Sequence, residues 1–185
     1  MLYQIVSFVL HIAVGLVGGM CLLRAYLHHQ RIAMSARAGN PLGPFIFATT
    51  DWLVLPLRKL LPAAGRWEWA SLLGAYLLQM ALVGMLWLLA GGHGSASMLP
   101  LVALLGLVRW VLSGMTGLLI VYAVLSWVRS DAPMAGLVDR LVAPWLRPLR
   151  RVIPLVGGID LTPLVLLVLL QVAGMVLEAV FRVPF

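Results

Sequence analysis

The chain has 185 residues, of which 63% are hydrophobic and only 10% are charged, and its mean hydropathy is +1.05. A soluble domain carries about 25% charged residues, so this composition excludes an ordinary soluble protein. The net charge of +7 would suit nucleic acid or anionic lipid, but eleven of the 13 Lys and Arg lie within residues 24–66 and 129–151. Such clustering is typical of the cytoplasmic loops of membrane proteins, and we expect no nucleic-acid partner.

Four apolar runs are long enough to cross a bilayer, which requires about 20 residues in a helix. These runs predict an all-α membrane protein with four transmembrane helices. They cover approximately residues 2–23, 67–90, 108–127 and 162–181.

The start of the third span is set by counting back about 21 residues from Trp127. It then begins near Val108, and Arg109 would lie at the membrane surface. The preceding run, 98–107, is too short to span alone. It either lies on the outer surface or lengthens a tilted helix.

The charge distribution predicts the orientation of the spans. Arginines are frequent in 24–66 and 129–160, whereas the 91–107 loop carries only His93. The Arg-rich loops are therefore expected in the cytoplasm, with both termini extracytoplasmic, in a bacterial inner membrane.

The chain also contains a duplication, because residues 37–81 repeat at 129–173 without a gap and twelve of the 45 pairs are identical. A shift of 92 positions places PLRKLLP (56–62) on PLRRVIP (148–154) and Gln79 on Gln171. Both copies have the same orientation. The pattern predicts two parallel tandem repeats, residues 1–92 and 93–185.

Each repeat contains a basic segment before its second span. In 137–152, Leu137, Leu141, Trp145 and Leu149 recur every four residues, and charged residues lie largely on the opposite face. This pattern predicts an amphipathic helix lying in the membrane interface. Prolines would kink or end it. The counterpart at 45–56 carries only Asp51, so it either dips deeper or packs under the helix bundle.

Three polar residues fall inside the predicted spans: Gln79, Gln171 and His11. A buried amide in hydrocarbon either bonds to a neighbouring helix or lines a polar path. Because the glutamines share one register, we expect both at the same depth and pointing into the bundle. His11 is expected to pack or form a hydrogen bond. Gly15 and Gly19 form a small-xxx-small pair that permits close helix contact.

The basic residues and the connector before the last span form the candidate docking surface. The cations can bind anionic headgroups or protein partners, and Asp160 can pair with Arg150 or Arg151. Thr162 is expected to cap the last helix. The docking set comprises Arg58, Lys59, Arg147, Arg150, Arg151 and Asp160.

No motif indicates catalysis, metal binding or a cofactor. The single cysteine, Cys21, excludes an internal disulfide. His28 and His29 are adjacent, and neighbouring helix residues point about 100° apart, so they would not readily share a metal. We therefore expect neither an enzyme nor a cofactor.

The segments SWVRSDAP (126–133), APWLRPLRRVIP (143–154) and GGIDLTPLVLLVLLQ (157–171) together resemble the YggT family of small integral membrane proteins. The first copy, LLRAYLHHQRIAMSARAGNP (22–41), is similar to the divergent first repeat of that family. It departs from the pattern at Arg66-Trp67-Glu68, where the second copy has Gly-Ile-Asp, and at His28-His29, where an aromatic residue is more usual.

The resemblance implies no established reaction. It implies an association with osmotic-stress tolerance and, for relatives in photosynthetic lineages, with haem-protein assembly and with cell or plastid division. Our leading hypothesis is a membrane scaffold or assembly factor that docks protein partners or anionic lipid at the cytoplasmic face, and that could form homo-oligomers. The alternative is a channel or transporter subunit linked to osmotic stress.

Overall fold

The computed structural model describes residues 1–34, 42–61, 67–92, 95–128, 133–153 and 160–180. The architecture is all-α, as predicted. A short 3-10 helix at Ala96–Met98 precedes the fourth α-helix. The α-helices are α1 (Leu2–His29), α2 (Leu42–Leu60), α3 (Trp69–Leu89), α4 (Leu99–Val128), α5 (Pro133–Arg150) and α6 (Thr162–Val180).

Four of these helices, α1, α3, α4 and α6, are long and apolar enough to cross a membrane. They coincide with the four predicted runs, so the expectation of a multi-pass membrane protein is confirmed at this level. Helix α1 is longer than predicted, because it continues past residue 23 to His29. Helix α3 contains no charged residue between Trp69 and Leu89, which suits a span without any interruption.

Helix α4 corrects the expected start of the third span. It is one continuous helix of 30 residues, so the run 98–107 lengthens the helix, and Arg109 lies well inside it and not at its start. Pro100 does not interrupt the helix, because its missing N–H falls in the first turn, where no intrahelical partner exists. A helix of this length rises about 45 Å, more than the hydrocarbon core requires.

The chain forms two compact units, Met1–Val111 and Leu112–Phe185. The division falls inside α4, so that the first unit contains α1, α2, α3 and the beginning of α4. The repeat boundary at residue 92 remains a prediction from the sequence. In the first unit α1 and α2 both pack against α3, around a core that includes Cys21, Val54, Ala70 and Ala75.

A close contact between α1 and α4 within the first unit depends on glycine. A Cβ atom added to Gly18 would lie 2.1 Å from a ring atom of Trp110, and one on Gly15 would lie 3.7 Å from the same indole. Nothing lies within 4 Å of a Cβ on Gly19. The close approach therefore uses Gly15 and Gly18, which share a face at i and i+3, and the expectation for Gly19 was wrong.

In the second unit α5 packs against α6. Its apolar face joins residues of α4 and α6 in one core, composed of Leu119, Val138, Val142, Leu146, Leu166 and Leu170. Val142 is 0% exposed, so the apolar stripe that was expected to face lipid is packed on protein. Both prolines of α5, Pro144 and Pro148, lie inside the helix. They do not end it, and both lie on its exposed side.

Candidate functional site

A buried ion pair links the end of α2 to the start of α3. Arg58 donates from Nε to Glu68 Oε1 at 2.9 Å, and its Nη2 contacts the same oxygen. Glu68 immediately precedes α3 and its side chain is 0% exposed. A buried carboxylate is tolerated only beside opposite charge, so this connector depends on cations from neighbouring helices.

Arg24 of α1 supplies the second cation. Its side chain is only 1% exposed, and its Nε lies 3.3 Å from Glu68 Oε1. Its Nη1 donates to Thr50 Oγ1 at 2.7 Å and to Asp51 Oδ1 at 2.6 Å, both in α2. The guanidinium carbon also lies 4.9 Å from the ring centre of Phe47, within the range of a cation–π contact. Arg24 therefore ties α1 to α2 and to the connector before α3.

We call Arg24, Asp51, Arg58 and Glu68 the first cluster. With two cations and two carboxylates it has no net charge when all four are ionised. Two buried oxygen atoms, Glu68 Oε2 and Ser71 Oγ, have no hydrogen-bond partner among the described residues. The first cluster therefore holds the helices together. Its four charged groups and most of its polar atoms interact with one another.

The second unit contains a smaller cluster, which consists of an ion pair and two hydrogen bonds. Arg150, at the end of α5, donates from Nε to Asp160 Oδ2 at 2.8 Å and from Nη2 to the Tyr122 hydroxyl at 2.9 Å. Asp160 Oδ1 accepts the N–H of Thr162 at 3.0 Å. We call Tyr122, Arg150 and Asp160 the second cluster. It confirms the predicted pairing of Asp160 with Arg150.

The second cluster also corrects the expected helix cap. The Thr162 hydroxyl is buried and forms no hydrogen bond with the described residues, whereas the Asp160 carboxylate satisfies a free N–H at the start of α6. Burial alone would raise the pKa of Asp160. Hydrogen bonds from Thr162 and Arg150, with the charge of Arg150, outweigh it and hold this pKa below its ordinary value.

The two clusters occupy equivalent positions under the 92-residue shift, because Arg58 corresponds to Arg150 and Glu68 to Asp160. The remaining partners of the first cluster are not repeated. In the second copy the counterparts of Thr50 and Asp51 are Val142 and Ala143, and Arg24 lies outside the repeated segment 37–81. Asp160, with one cation, stays 29% exposed, whereas the fully buried Glu68 has two.

The predicted docking residues thus fall into two groups. Arg58, Arg150 and Asp160 are committed to ion pairs. The other cations are exposed, and none of them forms an ion pair with a described residue. This exposed group comprises Lys59, Arg147 and Arg151, together with Arg140, which also lies on α5.

The intramembrane polar residues do not share one environment. Gln79 is 7% exposed, and its amide lies against Gly106, where an added Cβ would be 1.8 Å from Nε2. Gln171 is exposed on the second unit, so the expectation that both amides point inward is wrong for Gln171. Its neighbour Leu170 faces the core, and adjacent helix residues diverge by about 100°.

His11 forms the expected kind of contact. Its Nδ1 lies 2.8 Å from the Ser7 carbonyl oxygen, one helical turn earlier, and the side chain is exposed. His29 lies against Trp67, with ring centres 4.4 Å apart. No group of three potential metal ligands occurs among the described residues.

Sequence reasoning missed the first cluster beyond Arg58. From the sequence, Arg24 was counted only among the cations of 24–66, Asp51 was noted only as the single charge of 45–56, and Thr50 was assigned no role. The signal was present, since an arginine at the end of a span and an acid inside an apolar segment both require partners. Which residues would be those partners depends on packing across 26 to 44 positions.

The family model described as CCB3/YggT matches residues 3–89 and again residues 101–181. Over 142 residues the chain is 36% identical to the uncharacterized protein YggT of Escherichia coli K12, which covers 74% of this chain and 71% of the relative. An uncharacterized Vibrio alginolyticus protein is 36% identical over 146 residues, covering 73% and 75%. An uncharacterized Pseudomonas aeruginosa protein is 33% identical over 147 residues, covering 74% and 71%.

No solved structure matches the chain. The family model nevertheless accounts for most of both halves, and the relatives match at comparable length. Helices α2, α3, α5 and α6 lie within the matched segments, and α1 and α4 begin only one or two residues before them. The chain therefore belongs to the CCB3/YggT family.

Proposed function

We propose that the protein is an integral membrane scaffold or assembly factor, which docks protein partners or anionic lipid through basic segments at the cytoplasmic face. One observation carries this proposal: α5 buries its apolar face against helices long enough to span a membrane, while its cations point outward. A helix held in this way offers a fixed charged surface beside the bilayer.

The first and second clusters support the same function. They join the ends of α2 and α5 to the residues that directly precede α3 and α6. A rigid support reduces the entropy lost when a partner binds. The described residues offer no nucleophile–base pair in these clusters, and the arginines there are held by carboxylates, so we assign them a structural role and no catalytic one.

A photo-crosslinking amino acid at Gly136 tests the docking surface in native membranes. Gly136 is an exposed residue of α5, and nothing lies within 4 Å of an added Cβ. We expect a discrete protein adduct from this position. The matched control is Gly114 of α4, also exposed and open, which should give none. Adducts equal at both positions, or absent at both, would contradict the protein-docking role.

A channel or transporter subunit is the second candidate. It is favoured by the buried Gln79, whose Oε1 has no hydrogen-bond partner among the described residues. The exposure of Gln171 removes the paired polar lining on which this candidate was first based. Solute flux in proteoliposomes should be abolished by Gln79→Leu and kept by Gln171→Leu if this candidate is right. The scaffold function predicts no specific flux in either case.

A further inference from the structure

We propose that the second unit alone binds anionic phospholipid, through a basic stripe formed by Arg140, Arg147 and Arg151. This inference rests on the proposed function, because it requires α5 to lie at the membrane surface. It goes further in naming the lipid class and in assigning the binding to one of the two repeats.

The three arginines line up along α5. With about 100° per residue, positions 140, 147 and 151 lie within about 40° of one another and extend over about 16 Å of helix axis. Arg151 follows the last helical residue, but Ile153 N–H still donates to the Leu149 carbonyl at 2.9 Å, so the helical turn continues there. All three side chains are exposed.

No acidic residue of α5 lies on the same side as the stripe. Asp139, the one acid of the helix, lies about 100° away from Arg140. Arg150 lies beside the stripe but is held by Asp160. Three of the buried residues, Val138, Val142 and Leu146, lie on the opposite side of the helix, about 120–160° from Arg140. Three guanidinium groups therefore face outward in a row.

Charge complementarity identifies the occupant. A guanidinium group forms paired hydrogen bonds with phosphate oxygens, and phosphodiesters of anionic lipid are abundant where a spanning helix meets the cytoplasm. The buried face of α5 packs on α6, which is long enough to span. The stripe is thus held by a membrane-spanning element, so lipid headgroups can reach it without any partner protein.

The first unit lacks such a stripe at the equivalent positions. Under the 92-residue shift, Arg140, Arg147 and Arg151 correspond to Ala48, Leu55 and Lys59. These three residues are also exposed, but they provide one cation instead of three. Trp52, on the same helix, is 62% exposed, so the outer surface of α2 is largely apolar.

The experiment exchanges residues between these equivalent positions. The double variant Arg140→Ala/Arg147→Leu gives the second unit the residues of the first. Binding of phosphatidylglycerol and of phosphatidylethanolamine to the purified full-length protein is measured by native mass spectrometry. Each cation near anionic lipid contributes about fivefold in affinity, so we expect about twenty-five-fold weaker phosphatidylglycerol binding. Binding of phosphatidylethanolamine should not change.

Two further variants keep the result interpretable. Lys59→Gln removes the exposed cation at the equivalent position of α2 and should leave phosphatidylglycerol affinity unchanged. Arg140→Lys/Arg147→Lys keeps the charge and should retain most of the binding, which excludes misfolding as the cause of a loss.

Unchanged phosphatidylglycerol affinity in the double variant would overturn the inference, as would an equal loss from Lys59→Gln. If lipid binding is unchanged but the protein adduct from Gly136 disappears, the occupant is an acidic protein; the inference fails and the scaffold function stands. If lipid binding is lost while Gly136 never gives an adduct, the inference stands and the protein-docking role fails.

Discussion

Arg150 holds the carboxylate of Asp160 at 2.8 Å, and the same carboxylate accepts the first free N–H of α6. Arg58 and Glu68 are joined in the same way, ten residues apart, at the equivalent positions of the first half. The Asp160 side chain thus both pairs with the end of α5 and caps the start of α6. Charge and helix capping act together at Asp160, which leads to a pH-dependent stability.

We expect the stability of the second unit to fall as the pH is lowered through the folded-state pKa of Asp160. This pKa lies below that of the unfolded chain, so the stabilisation is complete above the unfolded value of about 3.9 and disappears as protonation proceeds in the folded state. Because the pair is partly exposed, its contribution is about 1 kcal/mol or less. Thermal unfolding in detergent at a series of pH values measures it.

Asp160→Asn is the control for this prediction. Asparagine also accepts the Thr162 N–H as a capping residue, but it has no charge to lose. Its unfolding temperature should therefore vary less with pH in the acid range. An identical pH profile in both proteins would show that Asp160 is not the titrating group.

Glu68→Ala should destabilise the protein much more than Asp160→Ala. Removing the buried carboxylate leaves Arg24 and Arg58 facing each other without their shared acceptor, and breaking a buried pair costs about 3 kcal/mol or more. The equivalent change at Asp160 exposes its partner to water. Unfolding by graded SDS measures both variants, and similar losses would contradict the difference in burial.

Gly18→Ala should destabilise the contact between α1 and α4. The added methyl group would meet the Trp110 ring at 2.1 Å, which requires the indole or the helix to move. Gly19→Ala is the matched control, since nothing lies within 4 Å of its Cβ. That substitution should be neutral or slightly stabilising, because alanine favours a helix by about 1 kcal/mol. Thermal unfolding of the two variants measures the difference.

Reporter fusions test the predicted orientation. Fusions at residue 185 and within 91–97 should report an extracytoplasmic position, and a fusion near Ser130 a cytoplasmic one. The reason is that eleven of the 13 cations lie in two stretches of the sequence, and loops rich in Lys and Arg are usually cytoplasmic. The opposite pattern would place the basic stripe outside the cell and remove the cytoplasmic docking surface.

The spans were predictable from sequence because a long apolar run leaves few alternatives. The start of α4 was not, since counting about 21 residues back from Trp127 assumed a minimum length, and nothing at Arg109 interrupts the helix. The sequence pattern of α5 predicted which of its faces is apolar and buried. It did not predict that α4 and α6, and not lipid, would cover that face. Apolar side chains of the same spacing pack equally well on lipid or on a neighbouring helix.

The candidate site was predictable where partners are close in sequence. Asp160 and Arg150 are ten residues apart, and Arg150 was one of the two partners expected for Asp160, with Arg151. Arg24 contacts Glu68, 44 positions later in the sequence. A local sequence pattern cannot predict a contact over that distance. Gln79 and Gln171 occupy equivalent positions in the two repeats. Among the described residues, Gln79 packs against a glycine, Gly106, which leaves room for its amide.

The prolines inside α2 and α5 have a consequence for where these helices lie. A proline cannot donate to the carbonyl four residues earlier, so Pro56, Pro144 and Pro148 leave the oxygens of Trp52, Arg140 and Pro144 without their helical donor. Hydrocarbon offers no substitute for such a bond, and all three rings lie on exposed surfaces. Water or a headgroup can supply the missing donor on this exposed side, so the prolines favour a position of both helices at the membrane surface.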